Sequence, residues 1–218
     1  MKRNAFTLAE VLITLVVIGI IAAMTIPILV NSYQERVNIS SLKKQYSLFS
    51  NAFALAKKFD NNDPADWVHI DGNNNAMYEN YKSLKKYFNV LRECPDKTGC
   101  WSKELTKAPT GKPALYANEK GIGVNIMTFT LSDGTNVCFD YFDTKVTINY
   151  FGVNKNLQTY PLAIWVDVNG DKKPNTMGRD VFAFIYTNNG VIPAGANNKS
   201  ANCNTMGYDC SAKYIYKY

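Results

Sequence analysis

Histidine is nearly missing from this chain of 218 residues, which contains only His69. A nucleophile–base set built on histidine would have to use that residue, and nothing in the sequence supplies its partners. The five cysteines include no Cys-x-x-Cys pair, so zinc is a poor explanation for them. No glycine motif that would cradle a phosphate is present. These absences argue against an enzyme, and we predict no catalytic residues.

Long blocks of basic residues are missing from the second half of the chain, although the formal net charge is +6. Lys2 and Arg3 precede an apolar run and Lys43 and Lys44 follow it, so part of the excess charge fits membrane topology. A dedicated DNA-binding protein more often has a basic stripe. We therefore rank nucleic acid low among the partners. Hydrophobic residues make up 46% of the chain, which is enough for a packed core.

The longest apolar run extends from Val11 to Val30. A helix of about 20 residues, with a rise of 1.5 Å per residue, crosses a bilayer once. The basic residues before the run predict a cytoplasmic N-terminus and an exported remainder. An ordinary secretory signal has a shorter apolar region and ends at a small-x-small site. An uncleaved signal anchor explains the length and the orientation, but it does not explain Glu10.

Glu10 is an acid at the start of this membrane-length run. An ionisable side chain inside a membrane helix is costly, so it is a functional candidate by default. The alternative is a solvated carboxylate at the level of the headgroups.

The helical pattern does not end with the apolar run. Over residues 31–60 it becomes amphipathic, with an apolar side formed by Tyr33, Val37, Leu42, Tyr46, Phe49, Phe53 and Ala56. We predict one long helix, kinked at Pro27 because proline removes a backbone hydrogen bond. Asn61–Pro64 ends it. Residues 61–120 are predicted as a loop-rich connector with one short helix near Tyr78–Phe88.

Residues 121–218 are predicted to form an antiparallel β-sheet head. The predicted strands are Val124–Leu131, Val137–Phe142, Lys145–Phe151, Leu162–Val168 and Val181–Tyr186. The alternating Tyr214, Tyr216 and Tyr218 at the end of the chain suggest an added edge strand. Both faces of the strands carry apolar residues, and one face is expected to pack on the amphipathic helix. The predicted fold class is therefore α+β, a long N-terminal α-helix packed on a C-terminal antiparallel sheet.

Four of the cysteines lie in close pairs along the chain. If the C-terminal part is exported, short disulfide loops Cys94–Cys100 and Cys203–Cys210 are plausible, with Cys138 left free. The alternative is that all five are ordinary thiols.

One further loop contains residues of the kinds that bind metal ions. Asp167, Asn169, Asp171 and Asp180 supply carboxylate and amide oxygens of the kind that a hard cation such as calcium prefers. The spacing is not that of an EF-hand. The alternative is a plain hairpin connection, because asparagine, aspartate, glycine and proline are the residues that turns need.

The N-terminus resembles the class III signal of type IV pilins and of the pseudopilins of type II secretion. The likeness rests on the basic leader at residues 1–5, on Phe6, on the acid Glu10 four residues later, and on the membrane helix with Pro27 near its end. The resemblance implies that a prepilin peptidase cleaves between Ala5 and Phe6 and that the new amine of Phe6 is N-methylated. The family usually has glycine before the cut, where this chain has Ala5.

The resemblance also implies a pilin-like fold and a role for Glu10 in assembly. In the family this carboxylate meets the amine of a neighbouring subunit, so residues 6–30 would form both the transmembrane and the polymerisation helix. Pairing offsets much of the cost of a buried carboxylate. The proline near the end of the helix marks where the family's helix bends. Major pseudopilins also carry a calcium in a C-terminal loop, which is a partial analogy for the loop described above.

We therefore expect a structural subunit of a type IV pilus or type II secretion filament. Its partners would be identical or related pilin subunits, the prepilin peptidase and methyltransferase, an inner-membrane assembly platform and membrane lipid. It would cross the bacterial inner membrane once, and the filament would lie in the periplasm or at the cell surface. The sequence does not separate pilus, secretion pseudopilus and DNA-uptake filament. The alternative is a membrane-anchored binding module that never polymerises and that binds calcium or a surface ligand.

Overall fold

The computed structural model describes residues 7–67, 74–95, 99–114, 126–154 and 156–216. The lone histidine, His69, lies outside these ranges. The chain forms two compact units, one that ends at Val37 and one that begins at Asn38. We call the second unit the head.

Helix α1 runs from Leu8 to Phe59, which confirms the single long helix predicted from the sequence. It is the one helix of the described residues that is long and apolar enough to cross a membrane. None of its side chains between Leu8 and Val30 is buried. Pro27 lies inside α1, and the kink there stays a prediction.

The head contains a six-stranded sheet whose strands follow one another in space as in the sequence, each antiparallel to the next. Its strands are β1 Val90–Pro95, β2 Met127–Leu131, β3 Asn136–Tyr141, β4 Leu162–Asp167, β5 Val181–Thr187 and β6 Gly190–Pro193. The head half of α1 packs on this sheet. The α+β, pilin-like layout is therefore confirmed.

Both faces of the sheet are buried, and one of them packs on α1 as expected. Towards α1, the rings of Phe49 and Phe53 each lie 6.1 Å from the ring of Phe139 in β3. On the opposite face, Trp165 of β4 lies 5.2 Å from the ring of Phe151. Successive side chains of a strand point to opposite faces, so β4 contributes Ile164 to the first core and Trp165 to the second.

The predicted strand Lys145–Phe151 is wrong, because the structure has helix α3 at Thr144–Phe151. Its β-branched and aromatic residues favour a strand, but its two ends are capped as a helix. The Asp143 carboxylate accepts a hydrogen bond from the Val146 N–H at 2.8 Å. Gly152 ends the helix with a left-handed backbone, φ +59°.

The predicted edge strand in the C-terminal tail is also wrong. Helix α4 occupies Ser211–Ile215, and its Tyr214 packs on Phe182 with the ring centroids 5.9 Å apart. One edge of the sheet is β6 instead, which the sequence did not indicate. The other edge is β1, which lies in the segment predicted as a connector. The short helix predicted near Tyr78–Phe88 is present as α2, Asn74–Leu84, followed by a 3-10 turn.

Candidate functional site

The first turn of α1 holds Glu10 in a reciprocal pair of hydrogen bonds with Thr7. The backbone N–H and the hydroxyl of Thr7 both donate to Glu10 Oε2 at 2.8 Å. In return, the Glu10 N–H donates to Thr7 Oγ1 at 3.3 Å. This arrangement is a capping box, which satisfies two of the N–H groups left unpaired at the start of a helix.

Sequence reasoning singled out Glu10 but missed Thr7. The signal was present, because threonine followed three residues later by glutamate, just before an apolar run, is the capping-box pattern. Among the described residues, none donates a hydrogen bond to the second carboxylate oxygen, Oε1. The predicted cleavage and methylation residues, Ala5 and Phe6, lie outside the described residues.

The second candidate site lies between β4 and β5 in the head, where the structure gathers three of the four predicted ligands. Asp180 Oδ2 accepts from the Asn169 amide at 3.0 Å and from the Asn175 N–H at 2.8 Å. Asp167, at the end of β4, is only 1% exposed. Asp171 is exposed and accepts from the Asn136 amide at 3.1 Å instead.

Several oxygen atoms at this second site are buried without a hydrogen-bond partner. They are Asp167 Oδ2, Asn169 Oδ1 and Asn175 Oδ1. A buried polar atom with no partner costs free energy, and carboxylate and amide oxygens are the ligands that calcium prefers. The described residues contain no group of three His, Cys, Asp or Glu side chains placed to hold a metal. A cation here would therefore need the amide oxygens of the asparagines.

The pKa values of the two buried carboxyl groups are raised, as expected where no positive charge of the described residues lies nearby. Burial, and then the negative charge of Asp180, raises the pKa of Asp167 well above its ordinary value. Burial also raises the pKa of Asp180, although backbone N–H groups of Thr176 and Asn175 oppose the shift. A cation between such groups would favour their ionised forms.

Two disulfide bonds are present in the head. Cys94 of β1 is joined to Cys100, and Cys203 is joined to Cys210 just before α4. Disulfides persist in oxidising compartments, so both bonds fit an exported head. Cys138 of β3 is free and buried, and burial raises the pKa of its thiol.

Residues 1–26 match the family model for the prokaryotic N-terminal methylation motif. The chain thus carries the prepilin-type signal of type IV pilins and pseudopilins. This motif marks a structural pilin-type subunit, and it implies processing by a prepilin peptidase and assembly with other pilin subunits. Comparison of the chain with curated proteins and with solved structures finds no match. The signal and the long apolar helix together fit a membrane-anchored pilin with an exported C-terminal domain.

Proposed function

We propose that this protein is a structural subunit of a type IV pilus or type II secretion filament, cleaved between Ala5 and Phe6 and polymerised through the apolar half of α1. The observation that carries this proposal is the methylation motif at residues 1–26, whose part from Leu8 onward lies in α1. Between Leu8 and Val30, nothing in the described chain buries the apolar side chains of this helix. Neighbouring helices of the same kind would cover those side chains in a filament.

Glu10 would set the register of assembly. Cleavage creates an ammonium group at Phe6, and an ion pair with the Glu10 carboxylate of a neighbouring subunit compensates two charges that are costly in a membrane. In the uncleaved chain the N–H and the hydroxyl of Thr7 both donate hydrogen bonds to Oε2 of that carboxylate. Oε1 is the oxygen with no partner among the described residues, so it is the atom we assign to the amine.

Mass spectrometry of the N-terminus tests processing. A mature chain that begins with N-methylated Phe6 supports the proposal. A chain that keeps Met1 and its leader, when expressed together with a prepilin peptidase, would leave the alternative of a membrane-anchored module that never polymerises.

The variant Glu10→Gln tests the role of the charge in assembly. It removes the negative charge but keeps an oxygen that Thr7 can reach, so we expect normal cleavage and no filaments in electron micrographs. Glu35→Gln is the matched control, because it removes an exposed acid of the same helix beyond the apolar run. Filaments of normal abundance from Glu10→Gln would refute the register role.

We also propose a second, narrower function, that the β4–β5 connection binds calcium. The support is the set of buried oxygens without partners, together with the two buried carboxyl groups that flank them. Asp167, Asn169, Asn175 and Asp180 would hold the ion, which would join the two ends of the connection. Its role would be to stabilise the head rather than to catalyse a reaction.

Isothermal titration of the full chain in detergent with calcium tests this second function. We expect binding and a rise in the thermal midpoint, both lost in Asp180→Asn. The control Glu79→Gln removes an exposed acid that pairs only with Lys82 among the described residues. The absence of both heat and thermal shift in the unaltered chain would refute the calcium site.

A further inference from the structure

Two loops of the head that are far apart in sequence form one surface. Residues 102–113 make the first loop and residues 171–179 make the second. The Lys107 N–H donates to the Asn175 carbonyl at 2.9 Å, and the Met177 N–H donates to the Lys107 carbonyl at 2.8 Å. The Asn175 amide also donates to Ser102 Oγ at 3.0 Å. Their exposed side chains therefore belong to a single face of the head, which we call the paired-loop face.

The paired-loop face is strongly basic. Its exposed charged residues are the cations Lys103, Lys107, Lys112, Lys172, Lys173 and Arg179 and the acids Glu104 and Asp171. Lys173 pairs with Glu104 at 3.3 Å. The other five cations have no ion-pair partner among the described residues. The sequence shows these cations only singly or in pairs, and the contacts between the loops bring them together.

A second group of basic residues in the head differs from the paired-loop face, because acidic residues neutralise it. Lys82, Lys85 and Lys86 follow one another along α2 and the turn after it, but each has an acidic partner. These partners are Glu79, Glu93 and Asp60. The paired-loop face lacks this compensation, so its positive potential is available to an external anion.

The paired-loop face contacts a residue that follows the membrane-spanning run closely along the chain, and this indicates which kind of anion it binds. The Asn38 amide donates to the Arg179 carbonyl at 3.1 Å, so the second loop contacts the residue with which the head begins. Asn38 follows Val30, the end of the apolar run, by eight residues of α1. The head therefore begins shortly after the apolar run along the chain, and charges near a membrane surface act over a Debye length of roughly 8–10 Å at physiological salt.

We propose that the paired-loop face binds the anionic phospholipid headgroups of the membrane that α1 spans. Membrane-adjacent clusters of lysine and arginine are attracted to anionic lipid, and the attraction declines within a Debye length. The two loops contain no aromatic residue, whereas binding of single-stranded nucleic acid uses aromatic side chains on which bases stack. A dispersed set of lysines suits a surface of mobile headgroups, and it would hold the head near the bilayer before assembly.

Lysine acetylation of the full chain in vesicles tests this proposal. Neutral phosphatidylcholine vesicles are compared with vesicles that also contain phosphatidylglycerol, and modification of each lysine is measured by mass spectrometry. We expect the modification rates of Lys103, Lys107, Lys112 and Lys172 to fall several-fold in the anionic vesicles. High salt, about 1 M, should restore the rates because it shortens the Debye length to about 3 Å. Lys145, Lys199 and Lys213, exposed elsewhere on the head, are the internal controls.

Two matched triple variants distinguish the effect of the paired-loop face from the effect of the overall charge. The triple variant K107Q/K112Q/K172Q should abolish the protection of Lys103. The triple variant K145Q/K199Q/K213Q, with the same loss of charge, should keep it. Equal rates in both kinds of vesicle would overturn the proposal. Protection by added duplex DNA in neutral vesicles, with no effect of anionic lipid, would also overturn it and assign the face to a soluble polyanion.

The proposal depends on the membrane anchor but not on cleavage at Phe6 or on filament assembly. The vesicle experiment uses the uncleaved monomer, so its failure and the failure of the filament proposal are distinguishable. Loss of filaments in Glu10→Gln leaves the vesicle result unchanged.

Discussion

Between Leu8 and Val30 no side chain of α1 is buried, whereas between Asn38 and Phe59 seven are. The first stretch is apolar on all sides, and the second is apolar on one side only. A helix that is apolar all round requires an apolar environment around its whole circumference. The apolar stretch therefore depends on lipid or on other subunits, while the head stretch finds its partners within the same chain.

The polar residues of the two stretches differ in the same way. In the apolar stretch, the hydroxyls of Thr14 and Thr25 donate to the carbonyls of Val11 and Ile21, each at 2.9 Å and within one turn. Such local bonds satisfy hydroxyl groups where no water is present. In the head stretch, Gln45 instead donates to Asp133 at 2.8 Å and to Thr135 at 3.0 Å.

The largest expected contrast is between Phe49→Ala and Ile18→Ala. Phe49 is fully buried between α1 and the sheet, and truncation of a buried phenylalanine costs about 3–5 kcal/mol of the free energy of unfolding. Ile18 is 62% exposed, so its truncation should leave the unfolding of the head unchanged. Denaturant unfolding of the full chain in detergent, followed by the near-ultraviolet signal of the head, measures both. A similar loss of stability in both variants would contradict the division of α1.

A smaller contrast involves the buried amide of Gln45 and its exposed neighbour Lys44. Gln45→Ala removes the two hydrogen bonds that the buried amide donates to Asp133 and Thr135, which should cost about 1–3 kcal/mol. Lys44 also pairs with Asp133 at 2.6 Å, but its side chain is 62% exposed. An exposed ion pair is worth roughly 0–1 kcal/mol, so Lys44→Gln should have little effect. The same unfolding experiment compares the two variants, and a larger loss from Lys44→Gln would refute this ranking.

Two buried carboxyl groups are expected to make the stability of the head depend on pH. The pKa values of Asp167 and Asp180 are raised in the folded head, mainly by burial. A raised folded-state pKa means that stability is complete below the ordinary aspartate pKa of 3.8 and falls as pH rises through the folded-state value.

We therefore expect these two groups to lower the thermal midpoint of the metal-free head as pH rises towards neutrality, and calcium to reverse that loss. The double variant Asp167→Asn/Asp180→Asn isolates their contribution. If it shows the same pH dependence as the unaltered chain, with or without calcium, the loss does not come from these carboxyl groups.

The smallest expected effect is that of Thr7→Val at the start of α1. It removes the hydroxyl that caps the first turn, which costs about 1 kcal/mol locally. Amide hydrogen exchange of residues 8–10 in detergent should accelerate, while the unfolding of the head stays unchanged. Thr7→Ser keeps the hydroxyl and should keep the protection. Equal exchange rates in Thr7→Val and Thr7→Ser would show that the cap contributes nothing.

The errors of sequence reasoning occur where tertiary contacts and short caps override residue preferences. Residues Thr144–Phe151 have strand-like composition but form a helix, because Asp143 and Gly152 cap both ends. The edge strand β1 was missed because its burial is uneven and its partner β2 lies more than thirty residues later. Local patterns carry little information about such distant pairings.

The amino-acid sequence by itself determined the features that depend on local order along the chain. These are the methylation motif, the long helix and its change from an all-round apolar surface to a one-sided one. A cleavage signal and helical periodicity are properties of neighbouring residues, so they need no fold to be recognised.

Only the tertiary structure decided which distant residues share a surface. It brought Asn169 beside Asp180 in the candidate calcium site, and it joined two loops with scattered lysines into one basic face. It also placed Gln45 against Asp133 and Thr135. These arrangements follow from strand order and the packing of α1 on the sheet, and such contacts between distant residues leave no periodic trace in the sequence.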